Sequence, residues 1–421
     1  MIYYFEYYLI NILFILYLIR NLYRINFYLY FYLNIKMINP FTGGLEFRRL
    51  KKSSETEEGF SDINADFCPV QSNLSVEEKI KLVKEVGEEI IQESDLKEMF
   101  ENNIMPICYD GFEPSGRMHI AQGLLRAINV NRLTKAGCVF YFWIADWFAQ
   151  MNNKMGGDIE KIHIVGRYFV EIWRAAGMDL RNVKFLWCSE EINKHSNDYW
   201  QNVINVASKN NIDRIKRCCQ IMGRQEGDSL QASQIMYPCM QCTDIFFLKA
   251  NITSLGMDQR KVNMLAREYS DDVKITHKPI IVSHHMLKSL KGDDKMSKSI
   301  PDSAIFMEDS ADEVNRKIKH AFCPAKQVDD NPIFDYIKYL IFPKLGKFEL
   351  KRQEKYGGDK TYNTYEEICQ DYLKGDLDPN DVKPNVARLI NEMIEPVRRH
   401  FQNDPEAKKI LQLVNSFKVS R

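Results

Sequence analysis

The chain has no surplus of charge of either sign: lysine plus arginine and aspartate plus glutamate each number 57 among 421 residues. Binding of a polyanion by bulk electrostatics is thereby excluded, and any such contact has to be a local patch. The 10 cysteines lack the short repeated spacings of a disulfide framework, which fits reduced thiols in a cytosolic enzyme. No internal repeat runs through the sequence, which argues against a repeat array. Long apolar runs are scarce too. The stretch Tyr7 to Ile19 has the character of a signal-peptide core or short anchor, but falls below the roughly 18 residues of a spanning helix.

What is present is a globular composition, 45% hydrophobic and 27% charged, with length for two domains. Residues 1–36 stand apart, built almost wholly of Tyr, Phe, Leu, Ile and Asn. They are expected to lie outside the mature protein, with Met37 or a later residue as its start and the cytoplasm as its compartment; if retained, they would direct the chain to an organelle or a membrane. Residues 37–74 are polar, carry the charge run Arg48 to Glu58, and read as a flexible arm. Ser75 and Glu78 then form a capping box opening a helix through Ile80, Val83 and Val86.

From 75 to 303, short β-branched and aromatic runs alternate with helical patterns. The runs are Met105 to Tyr109, Val139 to Ala145, Phe185 to Cys188 and Pro279 to Val282; one helical pattern carries Tyr168, Phe169, Ile172 and Trp173 and stops near Gly177. This predicts an α/β, Rossmann-like domain whose parallel sheet does nucleotide chemistry at its strand ends. From 304 to 421 the strand signals fade. Ser310 and Glu313 suggest a second capping box ahead of Val314, Ile318 and Phe322, and a helix runs from Val386 to Phe401 through Pro396, so a separate α-helical domain is expected.

Gly111 to Gly123 reads GFEPSGRMHIAQG, behind a predicted strand and ahead of a helix. Its glycines, Gly111 and Gly116 among them, and Pro114 suit a tight turn, and the helix N-terminus behind them favours phosphate. His119 and Gln122, three apart, can turn an imidazole and an amide toward one ligand; the same spacing would serve a cap with a surface histidine. Asp293 to Ser299 reads DDKMSKS, which puts Lys295, Ser297 and Lys298 in a loop suited to the charge of departing pyrophosphate. Between these motifs, Tyr237, Gln241 and Asp244 fall four and three apart in YPCMQCTD, and GMDQRK follows from Gly256 to Lys261. A phenol, an amide and a carboxylate thus share one helical face, which could bind a zwitterion with a polar tip or meet solvent. Cys239 and Cys242 in that helix lack two further ligands nearby, so no zinc site is expected.

The glycine-rich HIAQ element and the later KMSKS together resemble the two signatures of class I aminoacyl-tRNA synthetases, with Ala121 and Gln122 in place of the usual glycine and second histidine. The YPCMQCTD and GMDQRK pair is similar to the tyrosine pocket of the archaeal and eukaryotic tyrosyl branch, and the match covers about Leu96 to Phe401 in order and spacing. The resemblance implies ATP-dependent activation of L-tyrosine and its transfer to tRNA(Tyr), with Mg2+ accompanying ATP and no metal held by the protein. It assigns catalysis to His119, Gln122, Lys295 and Lys298, and further ATP contacts to Gly111, Gly116 and Ser297. Tyr237, Gln241 and Gln259 would take the ammonium and carboxylate end of tyrosine, Tyr109 and Asp244 its hydroxyl, and Arg260 would lie toward the acceptor stem. A buried carboxylate that accepts the tyrosine hydroxyl is left unpaired by phenylalanine.

In the helical half, KYGGD at Lys355 to Asp359 and LDPNDVKPN at Leu377 to Asn385 are similar to anticodon-reading elements. Tyr356 would stack on a base, and Asp381 would accept hydrogen bonds from the first, a guanine. The resemblance also implies a homodimer through an insertion near 189–234, where Val203, Ile204, Val206 and Ala207 form an apolar face that would equally serve an internal core. Phe148 stands where many relatives carry histidine, and His284 with His285, ahead of the lysine loop, could touch nucleotide but reads rather as a surface pair. Three rivals are weighed. GMDQRK with Asp244 argues against a tryptophanyl-tRNA synthetase; KMSKS joined to a helical domain argues against a nucleotidylyltransferase of the same fold; the intact lysines and pocket argue against a binding protein retired from catalysis.

Overall fold

Six short runs become strands of one sheet in the computed structural model, which describes residues 60–103, 105–224, 227–276, 278–292, 296 and 300–417. Residues 1–59, and with them the apolar segment and most of the expected arm, lie outside the described residues, as do Lys295, Ser297 and Lys298. The strands are β1 (Gly87–Ile91), β2 (Ile107–Phe112), β3 (Val139–Ile144), β4 (Val183–Trp187), β5 (Ile252–Gly256) and β6 (Ile280–His284), in spatial order β1-β6-β5-β2-β3-β4. β2 to β6 run parallel, and β1 closes one edge antiparallel to β6. This is the α/β architecture expected. From β2 the chain builds outward through β3 and β4, whereas β5 and β6 add on the opposite side. The order therefore reverses between β2 and β5, and such a reversal opens a crevice at the carboxyl ends of the strands.

Two strands escape the sequence reading. β5 reads ITSLG, in which Thr253 and Ser254 hide the pattern, yet all five residues are buried because helices and neighbouring strands cover both faces. β1 follows the helix Val76–Lys84, whose capping box forms through Ser75 and Glu78 as expected; that helix ends before Val86. Residues 60–74, read as arm, are instead laid on the body. Asn64 bonds both backbone groups of Phe185, accepting from its N–H at 2.8 Å and donating to its carbonyl at 2.9 Å, and Ser61 Oγ donates to Glu406 at 2.8 Å. The reason is that β4 is an edge strand, and its outward backbone groups need partners.

Beyond Ser303 the chain is mainly helical, with helices Ala311–His320, Pro332–Tyr336, Tyr365–Lys374, Pro379–Asn403 and Pro405–Ser416 and one hairpin, β7 (Phe348–Leu350) with β8 (Lys360–Tyr362). The second capping box forms by half: Ser310 Oγ accepts from Glu313 N–H at 3.2 Å, while the Glu313 carboxylate turns to Arg316 at 2.7 Å. Phe322 falls past the helix end and is exposed. Among the described residues no helix is long and apolar enough to cross a membrane.

A buried carboxylate joins the two halves of the chain. Asp309 Oδ1 accepts from Arg117 Nη2 at 2.9 Å, and Oδ2 accepts from Lys317 Nζ at 2.6 Å and from the Phe306 N–H at 2.9 Å. Lys317 is itself buried and also donates to the Ala304 carbonyl at 3.0 Å. Beside this cluster, Ile120 N–H donates to Ile305 O at 2.8 Å and Met307 N–H to Met118 O at 3.0 Å, so the HIAQ turn is pinned in register to the segment after the lysine loop. Gly123 permits the approach, since a Cβ there would lie 2.4 Å from Met307 Sδ. Replacing Asp309 with alanine strands the Lys317 charge, and urea titration should show a loss of roughly 3–5 kcal/mol. Adding Lys317→Met should restore part of it; an Asp309→Ala protein as stable as the parent would show that the cluster joins nothing.

Candidate active site

The crevice between β2 and β5 holds a cavity of about 270 Å³. Its closed end is built on the helix Ala232–Phe247, which presents Tyr237, Gln241 and Asp244 to the cavity as their spacing predicts. Pro238 inside this helix deprives the Gln234 carbonyl of its usual donor, and Cys219 Sγ replaces it at 3.4 Å. Asp244 is wholly buried. The Tyr199 hydroxyl donates to its Oδ1 at 2.6 Å, and Oδ2 has no hydrogen-bond partner among the described residues. Burial pushes the Asp244 pKa well above the usual carboxylate range, against the stabilising Tyr199 hydroxyl. Tyr109, from β2, is buried in the same wall, and burial followed by the Asp244 charge raises its hydroxyl.

Nearer the mouth, Gln241 Nε2 donates to Gln259 Oε1 at 3.1 Å, and Gln259 Nε2 donates to the Ile221 carbonyl at 3.0 Å. Tyr237 donates its hydroxyl to Glu113 at 2.7 Å and meets the buried Phe148 ring edge-on, centroids 4.7 Å apart. The structure therefore brings Tyr109, Tyr237, Gln241, Asp244 and Gln259 into one wall. Tyr199 is the member that the sequence reading misses. Its spacing with Val203 and Val206 marks a buried helical face, and only the fold brings it to Asp244, 45 residues away.

The other half of the cavity is lined by Gly111, Ser115, His119 and Gln122 from the β2 exit and by Gly256, Asp258, His284, Met286, Leu287 and Met296 from the β5 and β6 exits. The HIAQ segment does not open an ordinary α-helix. Ala121–Leu125 forms a wider π turn before the helix Arg126–Lys135, and His119 Nδ1 accepts from the Gln122 N–H at 3.4 Å. Gly116 is not among the lining residues; with φ of +84° it bends the chain between Ser115 and Arg117. Lys295, Ser297 and Lys298 lie outside the described residues, so their sequence-based roles stay expectations here.

Two acid–base groups line this half, one of them, Asp110, absent from the sequence reading. Asp110 lies 2.5 Å from Arg126, and burial, only partly opposed by that guanidinium, raises its pKa to about 7. His284 is no surface residue: burial, reinforced by Arg126, lowers its pKa to about 4 and keeps it neutral. His285 also turns away from solvent, toward Asp335 at 2.8 Å. A further carboxylate, imidazole and hydroxyl meet at Asp146, His163 and Ser189, but Asp146 is the centre, accepting from Ser189 Oγ at 2.5 Å and contacting His163 Nε2 at 2.9 Å. The hydroxyl faces the acid rather than the imidazole, so no nucleophile is activated there.

The remaining candidates lie outside the cavity. Arg260 is exposed at the start of the helix Arg260–Asp272 and pairs with Glu89 at 2.8 Å. Tyr356 is 61% exposed. Asp381 Oδ2 accepts from the Asp378 N–H at 3.1 Å and lies 3.5 Å from Arg352. Arg352, absent from the sequence reading, also bonds the Gly358 and Asp376 carbonyls at 3.4 and 3.0 Å and so ties the Tyr356 turn to the Asp381 segment. In the segment 189–234, Val203 and Val206 are buried against the body while Ile204 and Ala207 face outward, which divides the apolar face read from the sequence.

Residues 101–395 match the family model described as tRNA synthetases class I (W and Y). The chain is 57% identical over 352 residues to tyrosine–tRNA ligase 1, cytoplasmic, of Arabidopsis thaliana, covering 83% of this chain and 91% of that protein. It is 36% identical over 380 residues to the tyrosine–tRNA ligase of Pyrococcus horikoshii, covering 83% of this chain and all of the relative. The Leishmania major tyrosyl-tRNA synthetase in complex with tyrosinol superposes with a TM-score of 0.78 at 49% identity, over 83% of this chain and 54% of that longer one. The chain belongs to the tyrosyl-tRNA synthetases, within the class I family that the tyrosine and tryptophan enzymes share.

Proposed function

We propose that the chain activates L-tyrosine with ATP and transfers it to tRNA(Tyr), and that the cavity divides this work between its two halves. The observation that carries the assignment is Asp244, a buried carboxylate with one oxygen bonded to Tyr199 and the other without a partner among the described residues. A phenol hydroxyl supplies the missing donor; phenylalanine leaves the acceptor empty, and an unmet buried acceptor is costly. Tyr109 lies beside the same group. Gln241, Gln259 and Tyr237 then hold the ammonium and carboxylate end nearer the mouth. The tyrosine carboxylate attacks the α-phosphorus of ATP, the bond to pyrophosphate breaks, and the tRNA terminal hydroxyl later displaces AMP from the acyl carbon. His119 and Gln122 steady phosphate oxygens beside the backbone of Gly111, while Lys295, Ser297 and Lys298 follow the departing pyrophosphate.

Magnesium enters this reading as part of the substrate, on the ATP phosphates. Of the carboxylates lining the cavity, Asp110 pairs with Arg126, Asp244 accepts from Tyr199 through one oxygen and Glu113 accepts from Tyr237, and among the described residues no three acid, histidine or cysteine side chains come together as a metal site. For tRNA, Tyr356 offers an exposed ring for stacking and Asp381 has Oδ1 clear of its capping bond, with Arg352 setting the two elements side by side; Arg260 stands toward the acceptor end. We assign the protein to the cytoplasm, as the Arabidopsis relative is named, and to a homodimer through 189–234, where Ile204 is 59% exposed.

Pyrophosphate exchange with tyrosine, tryptophan and phenylalanine tests the substrate. Asp244→Ala should cut kcat/KM for tyrosine by roughly a hundredfold or more while affecting phenylalanine far less, so that the preference narrows; equal losses for both would remove Asp244 from the hydroxyl contact. Lys298→Ala should slow adenylate formation by about a hundredfold and leave tyrosine affinity, read by equilibrium dialysis, within about twofold. Weakened tyrosine binding would contradict its phosphate role. Ile204→Glu should shift the sedimentation coefficient from dimer toward monomer, and an unchanged dimer would place the interface elsewhere.

A further inference from the structure

His285 sits at a joint that neither the sequence nor the proposed chemistry accounts for. It follows β6 directly and, with its neighbours His284, Met286 and Leu287, is itself among the residues lining the cavity. Its Nε2 lies 2.8 Å from Asp335 Oδ1, and its Nδ1 lies 3.2 Å from Glu88 Oε2 on β1. The ring is stacked on Tyr339, centroids 3.8 Å apart with 10° between the planes. Asp335 belongs to the helix Pro332–Tyr336 of the C-terminal half, and its other oxygen accepts from the Lys288 N–H at 2.8 Å. Sheet edge, cavity rim and helical half therefore meet on one imidazole.

An imidazole with a carboxylate oxygen on each nitrogen needs a hydrogen on both, and that is the cation. Burial works against the charge, but Asp335 and then Glu88 outweigh it and hold the His285 pKa above its ordinary value. Nearby too are His284, held below its ordinary pKa, the Tyr339 ring with Lys338 5.1 Å from its centroid, and Lys288, whose Nζ pairs with Asp330 at 2.8 Å.

We propose that His285 is a positioning residue: as an imidazolium held between Glu88 and Asp335 it fixes the exit of β6, so that ATP is used well only while this charge is present. The inference rests on the tyrosine-activating reading of the cavity. Since the folded pKa is raised, the clamp is complete below the unfolded value of about 6.5 and is lost as pH rises through the folded one. The nucleotide half, which includes His284, Met286 and Leu287, then loses its fixed rim, while the tyrosine wall on the helix Ala232–Phe247 does not depend on the joint.

The test is tyrosine-dependent pyrophosphate exchange by the full chain between about pH 6 and 9, reading KM for ATP and for tyrosine separately. In the parent protein KM for ATP should climb with pH. In His285→Gln it should be about tenfold higher already at pH ~6.5 and lack that step, with KM for tyrosine within about twofold. The variant also removes any contribution of ATP's own titration from the comparison. Glu88→Gln, on the exposed side of the joint, should move the step to lower pH and leave KM for tyrosine alone. An unaltered ATP dependence in His285→Gln, equal rises in both KM values, or an unmoved step in Glu88→Gln would overturn the role of His285. A parent protein without tyrosine-dependent exchange would instead overturn the reading of the cavity.

Discussion

The ion pair of Lys317 with Asp309 is almost entirely out of water, and such a pair is tolerable only when every remaining lone pair and proton is met. Here Arg117, the Phe306 N–H and the Ala304 carbonyl meet them. Those partners come from segments far apart in the chain: Arg117 and Asp309 are 192 residues apart. By drawing them together the pair sets the register of the HIAQ turn against the segment that follows the lysine loop. The described residues before and after the lysine motif also meet directly, Leu290 N–H donating to Ser303 O at 2.9 Å. The HIAQ turn of the nucleotide half thus takes its position from one buried carboxylate that the proposed chemistry does not use.

Three buried aspartates are treated differently, and their environments separate their roles. Asp309 has a cationic donor on each oxygen and a backbone N–H on one, and is structural. Asp110 has Arg126 at one oxygen, and burial raises its pKa to about 7. Asp244 has neutral donors alone near it, the Tyr199 hydroxyl bonded to one oxygen and the Trp143 indole, and its second oxygen makes no hydrogen bond among the described residues. The same side chain therefore serves as a joint, a titrating pair or a recognition group according to what donors surround it. The two adjacent histidines show the same division: burial and Arg126 lower the pKa of His284, whereas Asp335 and then Glu88 raise that of His285 against its burial.

Much of the fold was legible because the signals were local. The Ser75 capping box and the face shared by Tyr237, Gln241 and Asp244 rest on spacings of three and four residues, which a helix converts directly into neighbours. Where the determining contact was distant, local reading failed. β5 looked polar because its hydroxyl residues are covered by strands from elsewhere, and residues 60–74 looked unstructured because their partner is the free edge of β4.

The sequence by itself determined the alternation of strands and helices, the two signatures and the tyrosine face, because hydrophobic period, caps and motif spacing are properties of adjacent residues. Tertiary structure alone decided that Tyr199 completes Asp244, that Arg126 faces Asp110, that Arg352 joins the two elements near Tyr356 and Asp381, and that His285 lies in a joint rather than on the surface. Each of these depends on a partner brought in by the order of strands in the sheet or by docking of the helical half. No periodicity within a single segment specifies which charge or hydroxyl will be there to meet it.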